Sequence, residues 1–278
     1  MKLQVLVSTM NQLDDSLAVK MRISSDAVII NQCESNSIRV FKLDDYTIKL
    51  VSVAERGVSR SRNLAVNNAT ADICLLSDDD VTYEDGYSDI ICDAFRQIES
   101  ADIIAFNINR TNYNERTVSS KRITVPRNAP KYKYFGAVRI AFRLKSVRES
   151  GILFNENFGP GSVYGAGEDA IFLRDARKNG LVVYEHPSVI ASVDFSKSSW
   201  FRGYNEKYFY DKGAFLAAAH EGAKNIFKYY YILRLFRHSS LSITKILKLL
   251  NAGTKGYKSI MSYDEYAEVM CKRTSSAS

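Results

Sequence analysis

Proline is scarce in this 278-residue chain, with 4 residues, and glycine is held to 14. That is far below the share found in collagen-like, low-complexity or disordered chains, and those classes are excluded. Cysteine is sparse too. Cys33, Cys74, Cys92 and Cys271 show no C-x-x-C spacing and stand apart in sequence from His186, His220 and His238, which argues against a Cys/His zinc module. Cys74 and Cys92 lie inside apolar stretches, where a free thiol acts as a small hydrophobe, so a reducing, cytoplasmic location is expected. Long apolar runs are also lacking. Residues 3–7 are too few for the core of an export signal. The densest late run, 229–236, is interrupted by Arg234 and falls short of the ~20 residues of a spanning helix. Neither export nor a membrane crossing is expected.

What is present is a chain with 46% apolar and 25% charged residues, enough for one large globular domain with a smaller appendage. The formal net charge of +7 is concentrated. Between 221 and 258 the chain carries eight basic residues against the single acid Glu221, while the remainder is balanced. We therefore divide the chain into 1–220, the main globular domain, and 221–278, a basic, aromatic helical region.

The first half alternates short β-branched apolar runs with helical patterns, the signature of β-α-β units and a largely parallel sheet flanked by helices. Strands are predicted at 3–8, 27–31, 38–43, 48–53, 73–77 and 103–108, with helices near 13–23, 59–68 and 87–99. From 110 to 133 the pattern lapses into a polar, basic segment with Pro126 and Pro130, read as a long loop able to act as a lid or to touch substrate. A short strand near 137–142, a helix near 145–150 and a glycine-punctuated stretch from 151 to 167 follow. A helix over 168–178 leads into a strand at 181–185, and past Trp200 the chain turns helical and aromatic. No internal repeat is visible.

Three constellations carry chemistry. Asp78-Asp79-Asp80 directly follows the apolar run 73–77, so three carboxylates sit at the carboxyl end of a buried strand, where open α/β sheets bind ligands. Adjacent acids repel one another, and a hard divalent cation shared with phosphate is a physical reason to hold them together; an acidic loop capping the next helix is the plainer one. An EF-hand does not fit, because the sixth position is Tyr83 rather than glycine. The P-loop pattern and a G-x-G-x-x-G after the first strand are both absent. Second, Glu55-Arg56-Gly57-Val58-Ser59-Arg60-Ser61-Arg62-Asn63 opens a helix, and arginines at a helix N-terminus suit phosphate oxygens, unless they form only a solvated basic turn. Third, Gly165-Ala166-Gly167-Glu168-Asp169 puts two acids in a helical first turn after small residues that let a ligand approach the backbone. Acids there also serve as plain caps, although Gly159-Pro160-Gly161 and Tyr164 supply more glycine than a turn requires.

Taken in order, a first strand ending in Ser8-Thr9-Met10-Asn11, Asn31-Gln32 after the second, Arg-Ser-Arg-Asn at 60–63, the triplet at 78–80 and Glu168-Asp169 resemble the inverting glycosyltransferase family 2. The likeness is collinear over roughly residues 1 to 200 and is strongest to bacterial capsule and exopolysaccharide transferases. It implies the GT-A fold and a nucleotide-diphosphate sugar donor, usually a UDP-sugar, with Mn2+ or Mg2+ at the Asp motif. By the same resemblance Asp78 faces the nucleotide and Asp79 and Asp80 hold the metal. Thr9, Asn31 and Gln32 lie around the base, Arg62 and Asn63 near the nucleotide, and Asn11 joins them in binding the nucleotide-sugar. Many relatives carry an acid where this chain has Asn31 or Gln32, and an amide offers both donor and acceptor there. Asp169 is implied as catalytic base, with Glu168 orienting a glycan or lipid-linked acceptor. Inverting transfer fits these residues, since one carboxylate takes the acceptor proton as its oxygen attacks C1 opposite the leaving diphosphate.

The basic tail reads as one or two amphipathic helices suited to an anionic membrane surface, each Lys or Arg adding about 1 kcal/mol, or else as helices packed on the domain with solvated lysines. No nucleic-acid motif accompanies it, and no nucleic-acid partner is expected. Two competitors remain: a nucleotidyltransferase, which ordinarily has a glycine-rich phosphate loop after the first strand where this chain has none, and an inactive scaffold of a polysaccharide-assembly complex.

Overall fold

The computed structural model describes residues 1–111, 122–194, 203–220 and 222–275. In chain order its elements run β1 (Leu3–Met10), α1 (Ser16–Lys20), β2 (Asp26–Gln32), β3 (Ser37–Leu43), β4 (Tyr46–Val53), α2 (Val58–Asn68), β5 (Ile73–Asp78), β6 (Val81–Tyr83), α3 (Tyr87–Gln97) and β7 (Ile103–Thr111). Then come β8 (Arg127–Asn128), β9 (Ile140–Arg143), α4 (Leu144–Ser150), α5 (Glu168–Lys178), β10 (Val183–Asp194), α6 (Glu206–Ala219), α7 (Lys224–Leu235), α8 (Ile243–Ser259) and α9 (Tyr263–Ser275). The chain divides into two compact units, one of residues 1–154 with 172–198 and one of 155–171 with 199–278.

The first unit is built on a 10-stranded sheet in the order β3-β4-β2-β1-β5-β9-β7-β10-β6, with β8 pairing to β10. β1 pairs in parallel with β2 and β5, and β2 with β4, while β3, β9 and β6 run antiparallel to their neighbours. The central strands read as continuous apolar runs because both their faces are covered. Alternate residues divide the core. Val5, Val7, Ile29 and Leu75 join Leu17 and Ala18 of α1 and Ile91 and Phe95 of α3 in one cluster. Leu6, Val28, Ile30 and Leu76 join Ala65 and Val66 of α2 and Phe172 and Ala176 of α5 in another. The side-chain period of two thus produces a sheet with helices on both faces, as the sequence predicts.

Several boundaries differ from expectation. The helix expected over 13–23 is only Ser16–Lys20. The strand expected over 181–185 continues to Asp194, because Pro187 sits where the β10–β7 register shifts and a proline inside the run does not end it there. A short strand, β6, follows the triplet at once, so Asp78 ends β5 and Asp79 and Asp80 form the turn between β5 and β6 instead of a loop leading to α3. Of the loop expected over 110–133, residues 112–121 lie outside the described residues, as does Trp200. The remainder is fastened down. The Asn107 amide bonds both the Ile123 N–H (3.0 Å) and its carbonyl (2.9 Å), and the buried carboxylate of Glu185 pairs with Arg127 and Lys133.

The second unit is helical. Its core joins Phe158, Tyr164 and Ile171 to Phe209, Tyr210 and Phe215 of α6 and Ile246, Leu249 and Leu250 of α8. Two glycines set the approach of α6 to α8. A Cβ on Gly253 would meet the Tyr210 carbonyl oxygen at 1.9 Å, and one on Gly213 would meet the Leu250 carbonyl oxygen at 2.2 Å. This packing carries α6 into the same unit as the tail, so the compact division does not fall at 220. Neither of two amphipathic tail helices is left alone: α8 buries Ile246, Leu249 and Leu250, and α7 buries Ile232 and Leu235. Among the described residues no helix is long and apolar enough to cross a membrane.

Candidate functional site

Parallel pairing brings the ends of β1, β2 and β5 to one edge of the first unit. Register sets Ser8 beside Asp78 and Thr9 beside Asn31. Past that point Thr9 Oγ1 donates to Asp79 Oδ2 (2.5 Å), linking the end of β1 to the triplet. Gln12, which the sequence did not single out, donates from Nε2 to Thr9 Oγ1 (3.0 Å).

The two amides expected around a base are buried and braced. Asn31 clasps the Gln12 main chain at two points, accepting from its N–H (2.9 Å) and donating to its carbonyl (3.0 Å). Gln32 Oε1 accepts from the Gly57 N–H (2.8 Å) at the start of α2. Gly57 has φ +123°, a conformation that only glycine adopts without strain, and this lets its N–H turn back to Gln32. Asn11 sits at φ +54°, tolerable for asparagine, and its side chain accepts from Arg56 (3.4 Å). Arg56 also donates to the Gln32 carbonyl (2.8 Å) and pairs with Glu34 (3.0 Å). Asn31 and Gln32 therefore hold the loop that shapes this edge.

Arg62 is the buried cation of the site. Its side chain is 4% exposed, its Nη2 lies 3.0 Å from Asp78 Oδ1, and its guanidinium sits 5.6 Å from the Phe154 ring centroid. Asp78, at 42% exposure, is oriented from beneath by this charge-assisted bond. The Asn63 amide closes a two-bond clamp on the Phe154 main chain (2.8 and 3.0 Å) within the core. Successive residues of α2 point about 100° apart, so Arg62 reaches Asp78 and the Phe154 ring while Asn63 reaches the Phe154 main chain.

The triplet is crowded with negative charge. The Asp80 carboxyl is pushed up to about 6, by desolvation first and then by Asp78, Asp79 and Asp194. Asp194 is an acid that sequence alone did not bring here. Antiparallel pairing of Val193 with Val81 sets it one step on, opposite Asp80. An acid ending an apolar run was the available signal, masked by Pro187 within that run. Among the described residues no group of three or more His, Cys, Asp or Glu side chains forms a ready metal cage. The donor set suits a different arrangement, in which one or two carboxylates and substrate phosphates share a hard cation, and the mutual repulsion at Asp80 is the strain such an ion would relieve.

Glu168 and Asp169 begin α5 and belong to the second unit, with Glu168 buried and Asp169 half-buried. The glycines before them have a structural reason. Gly167 has φ +124°, and a Cβ there would lie 2.6 Å from the Phe215 ring. The Gly167 N–H donates to Glu168 Oε2 (3.0 Å) and the Gly165 N–H to Asp211 Oδ2 (3.0 Å), which also pairs with Lys207 (2.8 Å). Asp211, on α6, thus holds the turn that presents the pair and was not foreseen.

No protein-family model matches the chain, and no curated protein matches it in sequence. Solved structures do match. The crystal structure of the S. aureus glycosyltransferase TarS aligns with a TM-score of 0.55 at 14% identity, over 95% of this chain and 44% of that one. The chain thus spans less than half the length of that protein. TarS 1–349 in complex with UDP-GlcNAc aligns with a TM-score of 0.56 at 14% identity, over 96% of this chain and 78% of that one. TarS 1–349 in complex with UDP aligns with a TM-score of 0.53 at 16% identity, over 93% and 72%. The chain has the GT-A fold of these glycosyltransferases, as its sequence led us to expect.

Proposed function

We propose that this protein is an inverting glycosyltransferase, a hexosyltransferase that moves a sugar from a UDP-sugar to a glycan acceptor in cell-surface polysaccharide synthesis. One observation carries the proposal: Thr9, Asp79 and the Arg62–Asp78 pair are locked together at the carboxyl ends of β1 and β5, in a fold shared with a protein crystallised with UDP and UDP-GlcNAc. Asp78 contacts the nucleotide and Arg62 orients it. Asn31 and Gln32 shape the base-binding loop through Gln12 and Gly57.

Mn2+ or Mg2+ would be held by Asp79 and Asp80, with Asp194 in reach of Asp80's charge, and when bound it offsets the charge that grows on the leaving diphosphate. Asp169 takes the proton of the acceptor hydroxyl as its oxygen bonds to C1. The bond from C1 to the β-phosphate oxygen breaks with its electron pair leaving on UDP, and the anomeric configuration inverts. One base suffices, since no covalent enzyme intermediate forms. Glu168 orients the acceptor, which we take to be lipid-linked and of capsule or exopolysaccharide type, processed in the cytoplasm.

The test is a thermal-shift screen with UDP, GDP and CDP, each with and without Mn2+. A ligand at about 100 times its dissociation constant stabilises by ~2.7 kcal/mol, a shift of several degrees. A manganese-dependent rise with UDP alone is expected. No rise with any nucleotide, together with no UDP-sugar hydrolysis in the presence of metal, would overturn the proposal in favour of a scaffold.

A further inference from the structure

The outer face of α7 is apolar and uncovered. Ile226 (73% exposed), Tyr229, Tyr230 and Leu233 (74% exposed) recur at i, i+3, i+4 and i+7, which puts them on one stripe. The opposite side of the same helix is the one buried in the helical unit, through Lys228, Ile232 and Leu235. α7 therefore has two apolar faces and only one of them is used. α8 differs: Ile246, Leu249 and Leu250 are buried, Leu247 is partly buried and only Ile243, its first residue, is exposed, while Gly253 lies against α6.

We propose that the outer face of α7 docks on an anionic lipid bilayer. Charge complementarity selects this occupant. From 222 to 258 the chain has eight basic residues and no acid, and the exposed Arg234 and Arg237 stand at the C-terminal end of the stripe. Arg234 donates to the Tyr230 hydroxyl (2.5 Å), so a guanidinium and a phenol share one edge of the apolar surface. Tyrosine beside arginine is the composition of a membrane interface, where rings sit at headgroup level and cations meet lipid phosphates. At 12 residues α7 is too short to span a bilayer, and its place is in the interface plane. The inference goes beyond the proposed function and stands without it.

The test is flotation of the full chain with vesicles of phosphatidylcholine alone and of phosphatidylcholine with about one third phosphatidylglycerol, a composition that supplies an anionic surface. Flotation is expected with the anionic vesicles only, weakening as salt rises. Ile226→Ser with Leu233→Ser is expected to lower partitioning by about tenfold or more. Arg234→Gln with Arg237→Gln is expected to lower it by about fivefold per arginine removed. All four side chains are exposed, so both double variants keep the wild-type melting temperature, which separates lost docking from lost folding. The proposal is overturned if wild type does not float with anionic vesicles, or if the serine variant floats as well as wild type. It is equally overturned if wild type self-associates through the stripe, the serine variant is monomeric and neither floats, which assigns the face to a second copy. A failed nucleotide screen would leave the flotation result unchanged, so the two proposals fail separately.

Discussion

The sheet edge of the first unit and the helical second unit solve opposite problems. At the sheet edge, polar groups must stay near the surface without wandering, and buried amides achieve this: Asn31 clasps Gln12, Gln32 holds Gly57 and Asn63 clamps Phe154. In the helical unit, backbone must approach backbone, and glycine achieves that at positions 213 and 253. One region is made rigid by hydrogen bonds with a direction, the other by close packing without one. A polar clasp fixes where a functional atom points, whereas close packing fixes only distance. Directed clasps suit the polar groups at the strand ends, and close packing suits the core of the helical unit, whose turn before Glu168 and Asp169 is in addition held by hydrogen bonds to Asp211 and Glu168.

The sharpest way to separate acceptor chemistry from donor binding is by substituting the acids. Asp169→Asn is expected to lower turnover by about 10²–10⁴-fold while UDP affinity by calorimetry stays unchanged, the loss of a general base alone. Asp79→Ala with Asp80→Ala is expected to remove the manganese dependence of UDP binding, and undiminished affinity would refute the metal assignment. The next largest effect breaks the helical unit. Gly253→Ala sets a methyl group against the Tyr210 carbonyl and is expected to cost about 3 kcal/mol in denaturant unfolding, or to prevent folding of the unit. Gly222→Ala, where a Cβ meets nothing within 4 Å, is the matched control and should stay near the wild-type value.

The smallest effect probes how the donor edge is held. Arg62→Lys keeps the charge but loses the planar fork and its stacking over Phe154. Because Asp78 is partly exposed and screened, we expect only about 1 kcal/mol of lost stability. UDP affinity should fall by more than that loss of stability would suggest, since Asp78 would no longer be oriented. Equal affinity for UDP in wild type and Arg62→Lys would show that the pair supports the fold and not the ligand.

Much of this was legible from the chain. Residues at 5, 7, 29 and 75 and at 6, 28, 30 and 76 alternate, and that period alone divided the core between two helical layers. The triplet was readable because a buried strand must reach the surface where its charges begin, as β5 does at Asp78. Asp194 was not readable, since its partner across the sheet lies more than a hundred residues earlier and Pro187 interrupts its strand. The Asn63 clamp on Phe154 was not readable either, because a motif tells which residues are neighbours in sequence but not which way each one points once the helix packs.

The basic tail draws the same line. Its sequence reads as one or two amphipathic helices, with apolar residues at helical spacing and lysines or arginines between them, and the structure forms α7 and α8 there with α9 after them. Only the tertiary structure decided that α8 buries Ile246, Leu249 and Leu250 while α7 keeps one apolar face outside. Helical periodicity is a local property, written in residues three and four apart. Which apolar face finds a partner depends on the shape of surfaces brought together from distant parts of the chain, and no local pattern carries that information.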